Sequence, residues 1–151
     1  MPFTWNYIYK NGKLFGDSLN NSKFSLTNNM IFSYPGYNEI LTGNADPTIK
    51  SNAKIYNKNV TVLEKLNQTN NYKNKIAAFA SWDVFPYIIN DKRSGIPVNA
   101  GYMEELNIKT PVVDYINKNQ KRTPVIWENV RLDVYTHNIA LEYIKKKRPK
   151  L

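Results

Sequence analysis

Apolar runs and turn-forming residues divide the first third of the chain into short elements. Apolar residues crowd the first nine positions and Asn11-Gly12 follows them, which predicts an N-terminal helix that ends there. Met30-Ile31-Phe32 is an apolar, strand-like triplet. The residues after it predict a short helix that follows Ser33, with Pro35 in its first turn and Gly43 as its C-terminal cap.

The middle of the chain contains the clearest strand. Residues 75–82 form a short apolar run bounded by polar residues, as expected of a buried parallel strand. Before it, Asn59 is positioned to cap a helix that runs to Leu66. After it, the pattern predicts a short helix over Asp83–Ile89 with Asp83 as its cap, and then a long loop over 90–110.

The last third is predicted to be helical. Thr110-Pro111 starts one helix, and Pro124 opens the longest one, which Pro149 ends. Its apolar positions share one face: Ile126, Val130, Val134, Leu141 and Ile144. Alternating strands and helices predict an α/β fold with a mostly parallel sheet. Since an apolar helix opens the chain and a long helix closes it, we interpret residues 1–151 as one partial domain, a fragment or shortened reading frame.

Composition excludes several classes of protein. The 151 residues are 42% hydrophobic, enough for one core, and contain no cysteine, which excludes disulfides and thiolate sites. No apolar run is long enough for a transmembrane helix, and no signal peptide is present. The net charge of +9 is compatible with anion or nucleic-acid binding. However, lysine outnumbers arginine 17 to 4 and is spread along the chain, so AT-rich codon usage explains the charge equally simply and we expect no specific nucleic-acid partner.

Ser33 is the leading candidate for chemistry. A hydroxyl between an apolar segment and a helix lies at the positive end of the helix dipole, where a phosphate group can be held. Serine needs a base or a metal to become a nucleophile, and the single histidine, His137, is far along the chain, so a metal is the favoured agent. The alternative is that Ser33 only caps the helix.

Five segments together resemble the alkaline phosphatase superfamily, and its nucleotide pyrophosphatase and type I phosphodiesterase branch in particular. The segment Phe32-Ser33-Tyr34-Pro35-Gly36-Tyr37-Asn38-Glu39-Ile40-Leu41-Thr42-Gly43 is similar to the nucleophile segment, where Ser or Thr precedes an aromatic-Pro pair, a short helix and Thr-Gly. The similarity to bacterial phosphodiesterase-like and phosphoglyceromutase-like members continues in the same order through four further segments: 59–64, 77–87, 93–95 and 131–143.

The resemblance implies a fold, an activity and two site residues. The fold would be the superfamily's three-layer α/β sandwich with a central, mostly parallel sheet. Ser33 would be the nucleophile of a metal-dependent phosphoric ester hydrolase that uses two divalent metal ions, usually zinc, on a phosphate-ester substrate. Asn52 would donate its amide to a phosphoryl oxygen, although an ordinary turn role for this asparagine is an equal alternative. The family relationship and the lack of cysteine together suggest an exported or periplasmic parent protein.

Departures from the family pattern concern the metal ligands. The superfamily's first Asp ligand precedes the nucleophile strand and the other Asp and His ligands lie well downstream, whereas the aspartates of this chain stand elsewhere. Asp83 is more simply a helix cap than a ligand, and His137 is expected to be a partly buried structural residue. The arginine that a formylglycine sulfatase motif requires is replaced by Tyr37. We therefore expect the chain alone to be inactive, with incomplete metal sites and uncovered apolar surface that favours self-association. The alternative function is a non-catalytic anion-binding or interaction module that retains the fold remnant.

Overall fold

The computed structural model describes residues 1–151. The chain begins with a π-helical turn, Thr4–Ile8, that continues into a short α-helix before Gly12. The remaining elements are two strands and six α-helices, together with 3₁₀ turns at Ser18–Asn20 and Gln120–Arg122. In chain order the named elements are α1 (Tyr9–Asn11), α2 (Ser33–Thr42), α3 (Val62–Asn67), β1 (Ala78–Ala80), α4 (Phe85–Ile89), α5 (Asp91–Ser94), β2 (Val98–Ala100), α6 (Pro111–Asn119) and α7 (Asp133–Lys147).

The sheet consists of the two parallel strands β1 and β2. Ala78 pairs with Val98, Phe79 with Asn99 and Ala80 with Ala100, and α4 and α5 form the crossover between the strands. Helices hold 43% of the residues and strands 5%. The predicted mixture of helices with a parallel sheet is therefore present, in a sheet of only two strands. No helix combines the length and the apolarity that crossing a bilayer requires.

Helices cover both faces of this small sheet. On one face, Ala80 and Val98 pack with Ile89 and Ile96 in the largest core cluster. Beside this cluster, α2 packs through Tyr34 on α4. On the other face, Phe79 packs against a cluster formed by α6 and α7. The strands are buried from both sides, as parallel strands generally are.

Two helix boundaries were predicted correctly because local residues set them. Gly43 is the C-terminal cap of α2 (Ser33–Thr42), and its φ of +76° suits glycine. Helix α6 begins at Pro111, and the Thr110 hydroxyl accepts a hydrogen bond from Val113 N–H at 3.2 Å.

Two predicted caps and one predicted strand are wrong. The N-cap of α3 is Thr61, whose hydroxyl accepts from Glu64 N–H at 3.2 Å, and not Asn59. The N-cap of α4 is Val84 and not Asp83. Residues 30–32 form no strand, and Ile31 is 96% exposed, because no neighbouring strand pairs with this segment.

The C-terminal half corrects three further predictions. The loop expected over 90–110 contains α5 and β2. The longest helix starts at Asp133 and not at Pro124, because the preceding segment turns back to the sheet, where Val130 forms an antiparallel bridge with Trp82. Its buried positions are Ile139 and Tyr143, so the apolar face predicted for it is not the one that packs.

Candidate functional site

The head of α2 carries the candidate nucleophile. Phe32 is the N-cap, with extended backbone (φ −123°, ψ 154°), and Ser33 is the first helical residue. Ser33 therefore does not cap the helix. Its side chain is exposed and its hydroxyl forms no hydrogen bond within the chain, so the oxygen is open to a ligand.

Asn52 reaches the same helix end from a loop. Its Oδ1 accepts a hydrogen bond from Tyr34 N–H at 2.9 Å and so satisfies one of the unpaired donors of the first turn. Pro35 has no N–H, and Gly36 N–H bonds back to the Phe32 carbonyl at 3.3 Å. The polar groups left open at this end are the Ser33 N–H, the Ser33 hydroxyl and the Asn52 Nδ2 group.

Two side chains of α2 fix the loop that carries Asn52. The Tyr34 hydroxyl donates to the Ile55 carbonyl at 2.7 Å, and burial raises the pKa of Tyr34 to about 12, so this donor keeps its proton at neutral pH. Asn38, which is fully buried, accepts from Asn57 Nδ2 at 3.0 Å and from Asn59 Nδ2 at 3.1 Å. The position of Asn52 thus depends on side chains from the same helix as the candidate nucleophile.

Arg93 clamps the far end of this loop. Its Nε and Nη2 bind the two carboxylate oxygens of Glu64 at 2.9 and 2.8 Å, a bidentate pair. Its Nη1 also donates to the carbonyls of Asn57 and Lys58 at 3.0 and 3.1 Å, and its Nη2 donates to Asn59 at 2.8 Å. One guanidinium therefore joins α5, α3 and the loop.

Asp83 follows β1 and is tied to the same loop. One of its carboxylate oxygens, Oδ2, pairs with Lys54 Nζ at 2.5 Å, and its other oxygen, Oδ1, is buried without a hydrogen-bond partner. Gly101, at the corresponding end of β2, approaches so closely that a Cβ there would lie 2.5 Å from the Asp83 Cβ. The pair connects the Asn52 loop to the carboxyl ends of both strands.

The chain's own residues do not form a metal centre at this site. No three Asp, Glu or His side chains converge anywhere in the chain. Asp46 accepts hydrogen bonds from Thr48 and Asn59, and Asp133 accepts one from Ser81. His137 is exposed on α7 and is not the partly buried residue that we expected.

Arg131 and Glu105 form a buried polar cluster that the sequence did not indicate. Arg131 is 1% exposed and donates through Nη2 to the carbonyls of Ala80 and Asn99 at 3.3 and 3.4 Å, at the ends of the two strands. Desolvation lowers the pKa of Arg131 to about 10, which leaves it charged at neutral pH. Glu105 is 3% exposed. No local pattern marks residues whose burial depends on contacts this distant in sequence.

Comparisons with known proteins leave the chain without a recognised relative. No family model matches it, and searches of curated proteins and of solved structures find no match. Any functional assignment therefore rests on the residues themselves.

Proposed function

We propose that the chain is the nucleophile-bearing part of a phosphoric ester hydrolase related to the phosphodiesterase branch of the alkaline phosphatase superfamily. One observation carries this proposal. Tyr34, the residue next to Ser33, and Asn52 are 18 residues apart, and the Asn52 amide oxygen accepts the Tyr34 backbone N–H at 2.9 Å. This bond satisfies a donor of the first turn and also places the Asn52 NH₂ group beside Ser33, where a phosphoryl-oxygen donor would be needed.

The arrangement favours attack on phosphorus by the Ser33 hydroxyl. A phosphate ester placed at the head of α2 would meet two donors, the Ser33 N–H and Asn52 Nδ2, which would stabilise the charge that develops on a non-bridging oxygen. The hydrogen bond from Tyr34 holds the Asn52 amide by its oxygen, so its NH₂ group remains available to the substrate. Two divalent metal ions, zinc by the resemblance, would supply activation of the hydroxyl and charge neutralisation. The residues of this chain do not fit such a pair, and we therefore propose that the chain by itself is inactive.

The proposal extends to the fold. Helices on both faces of a parallel sheet are compatible with a three-layer sandwich. The Leu151 N–H donates to the Lys75 carbonyl at 3.3 Å and the Ala77 N–H donates to the Leu151 carbonyl at 3.1 Å. This is the bonding pattern of a parallel neighbour on the side of β1 away from β2, and it supports a larger, mostly parallel sheet.

A second candidate function is anion binding without catalysis. It is favoured by the net charge of +9 and by donors at the head of α2 that need no metal to hold an anion. Both candidate functions predict that phosphate binds at Asn52. Only the hydrolase predicts that a longer polypeptide, which also supplies metal ligands, hydrolyses a phosphate ester.

Binding can be tested on the 151-residue chain. We expect inorganic phosphate to shift the backbone amide signals of Ser33 and Tyr34 in ¹⁵N NMR spectra. Asn52→Ala should weaken this binding about tenfold, the cost of one charge-assisted hydrogen bond. Asn70→Ala, which changes an exposed asparagine outside the site, should not. Equal loss in the two variants would contradict the assignment of Asn52.

Hydrolysis requires a longer polypeptide that contains these residues. With zinc and bis(4-nitrophenyl) phosphate, Ser33→Ala should reduce the rate of such a polypeptide by at least about a thousandfold while its circular dichroism spectrum stays unchanged. Turnover that survives Ser33→Ala would remove Ser33 from its role. Phosphate binding with no hydrolysis by any such polypeptide would favour the anion-binding function.

A further inference from the structure

A separate cavity lies on the face of the sheet that α6 and α7 cover, away from α2. Its volume of about 260 Å³ is just below the range for drug-sized ligands, which restricts it to a smaller molecule. It shares no residue with the Ser33 site. The residues that matter to its chemistry are Phe79, Asn99, Met103, Glu104, Glu105 and Tyr143.

The charge of this cavity is opposite to that of the chain. None of its ten lining residues is basic, although the chain has 21 Lys and Arg residues against 12 Asp and Glu. Glu104 and Glu105 both line it, and Glu105 is 3% exposed. Glu105 Oε1 accepts from Asn107 N–H at 2.7 Å, but the carboxylate forms no ion pair, with Arg131 or any other cation. The charge of Arg131 acts on Glu105, but no cation lies within ion-pair distance of the carboxylate, so a cationic ligand can pair with it directly.

One polar atom of the cavity lining has no hydrogen-bond partner. Asn99 is 6% exposed, lines the cavity, and has a buried Oδ1 with no partner. Its Nδ2 donates to the Met103 carbonyl at 3.5 Å, so turning the amide over would only place two acceptors against each other. Gln120 and Arg131 direct their donors to the same carbonyl, at 3.4 and 3.5 Å. None of these donors reaches the Asn99 side-chain oxygen, which therefore needs a donor from elsewhere.

Aromatic rings form the apolar part of the wall. Phe79 and Tyr143 contact each other edge to face, with ring centroids 5.1 Å apart. Burial and the charge of Glu105 raise the pKa of Tyr143, so its phenol stays neutral beside the carboxylate. Rings of this kind attract organic cations and the hydrocarbon part of a ligand.

We propose that this cavity binds a small organic amine in its ammonium form. The ammonium group would pair with Glu105 and donate to Asn99 Oδ1, and its hydrocarbon part would pack on Phe79 and Tyr143. A divalent cation is disfavoured, because the cavity offers only two carboxylates and no third Asp, Glu or His.

The first experiment compares a charged probe with its neutral counterpart on the full chain. Benzylamine should bind saturably in ¹⁵N NMR titrations, with the largest shifts at Phe79, Asn99, Glu105 and Tyr143. Benzyl alcohol, of nearly the same shape, should bind at least about tenfold more weakly because it lacks the charge. Equal binding of the two probes, no saturable amine binding, or the same shifts with magnesium chloride would each overturn the proposal.

The second experiment removes the charge from the protein. Glu105→Gln keeps the acceptor for Asn107 N–H and should weaken benzylamine binding about tenfold. The matched control, Glu128→Gln, changes an exposed glutamate outside the cavity and should leave the affinity unchanged. If Glu105→Gln does not fold, the test uses Glu104→Gln, which changes an exposed residue of the same cavity. This variant should weaken benzylamine binding about two- to fivefold. Unchanged benzylamine affinity in a folded Glu105→Gln variant would refute the site. If Glu105→Gln does not fold, unchanged benzylamine affinity in Glu104→Gln would refute it.

Discussion

The Arg93–Glu64 pair offers the sharpest test of how the Asn52 loop is held. Arg93→Lys keeps the positive charge but removes the planar fork that binds both carboxylate oxygens and three loop carbonyls. A lysine ammonium can replace only some of these bonds, and Glu64, whose side chain is 5% exposed, would be left partly unpaired.

The magnitude follows from the burial of the two partners. Breaking a fully buried pair costs about 3–5 kcal/mol, whereas an exposed pair contributes at most about 1 kcal/mol. The Arg93 side chain is 37% exposed, so solvent screening reduces the cost. We expect the free energy of unfolding to fall by about 2–3 kcal/mol, which corresponds to a melting temperature lower by about 4–12 °C for a chain of this length.

Thermal and urea unfolding followed by circular dichroism measure this change. Arg122→Lys is the matched control: it makes the same substitution at an exposed arginine whose side chain forms no hydrogen bond, and it should change stability by less than about 0.5 kcal/mol. A double-mutant cycle with Glu64→Gln should give a coupling free energy of at least about 1 kcal/mol. If Arg93→Lys behaves like the control, or if the cycle is additive, the clamp does not hold the loop.

Two further predictions concern the packing around the Ser33 site. Hydrogen bonds from Thr27 and Asn28 lower the pKa of Glu39 to about 2, so their stabilising effect is complete above the ordinary pKa of 4.5 and disappears as the pH falls towards 2. The protection factor of the Thr27 amide, which corrects the exchange rate for its intrinsic pH dependence, should fall over that interval in the wild type and stay constant in Glu39→Gln. Gly101→Ala should destabilise the chain by about 1–3 kcal/mol, because the φ of residue 101 is +55° and the new Cβ would lie 2.5 Å from the Asp83 Cβ. An unchanged midpoint of urea unfolding would show that the two strand ends are not in close contact.

Local chemistry explains which elements the sequence predicted well. Pro35 and Gly43 act through their own backbone, so α2 could be placed without knowing its neighbours. The run that contains β1 was equally easy to predict, because a strand covered on both faces is apolar at consecutive positions and forms a continuous apolar run. By contrast, β2 consists of Val98-Asn99-Ala100, and nothing in three residues around an asparagine distinguishes a strand from a loop.

Non-local contacts explain the failures. Ile126 stays 85% exposed and the longest helix begins at Asp133, since the segment before it is drawn back to Trp82 and to the strand ends. The position of Asn52 was suggested only by the family resemblance, and the cavity beside Glu105 was not suggested at all. Both depend on loops whose course is set by buried amide and guanidinium groups rather than by hydrophobic periodicity.

Arg131 couples the unfolding of α7 to that of the two strands. Its backbone N–H donates to the Ser81 carbonyl at 3.1 Å, its Nε donates to Thr136 Oγ1 at 2.8 Å, and its guanidinium closes the ends of β1 and β2. Lifting the first turn of α7 would pull this cation out of the interior and remove its hydrogen bonds to the Ala80 and Asn99 carbonyls. The last helix and the central strands therefore open as one cooperative unit, although more than thirty residues separate β2 from the start of α7.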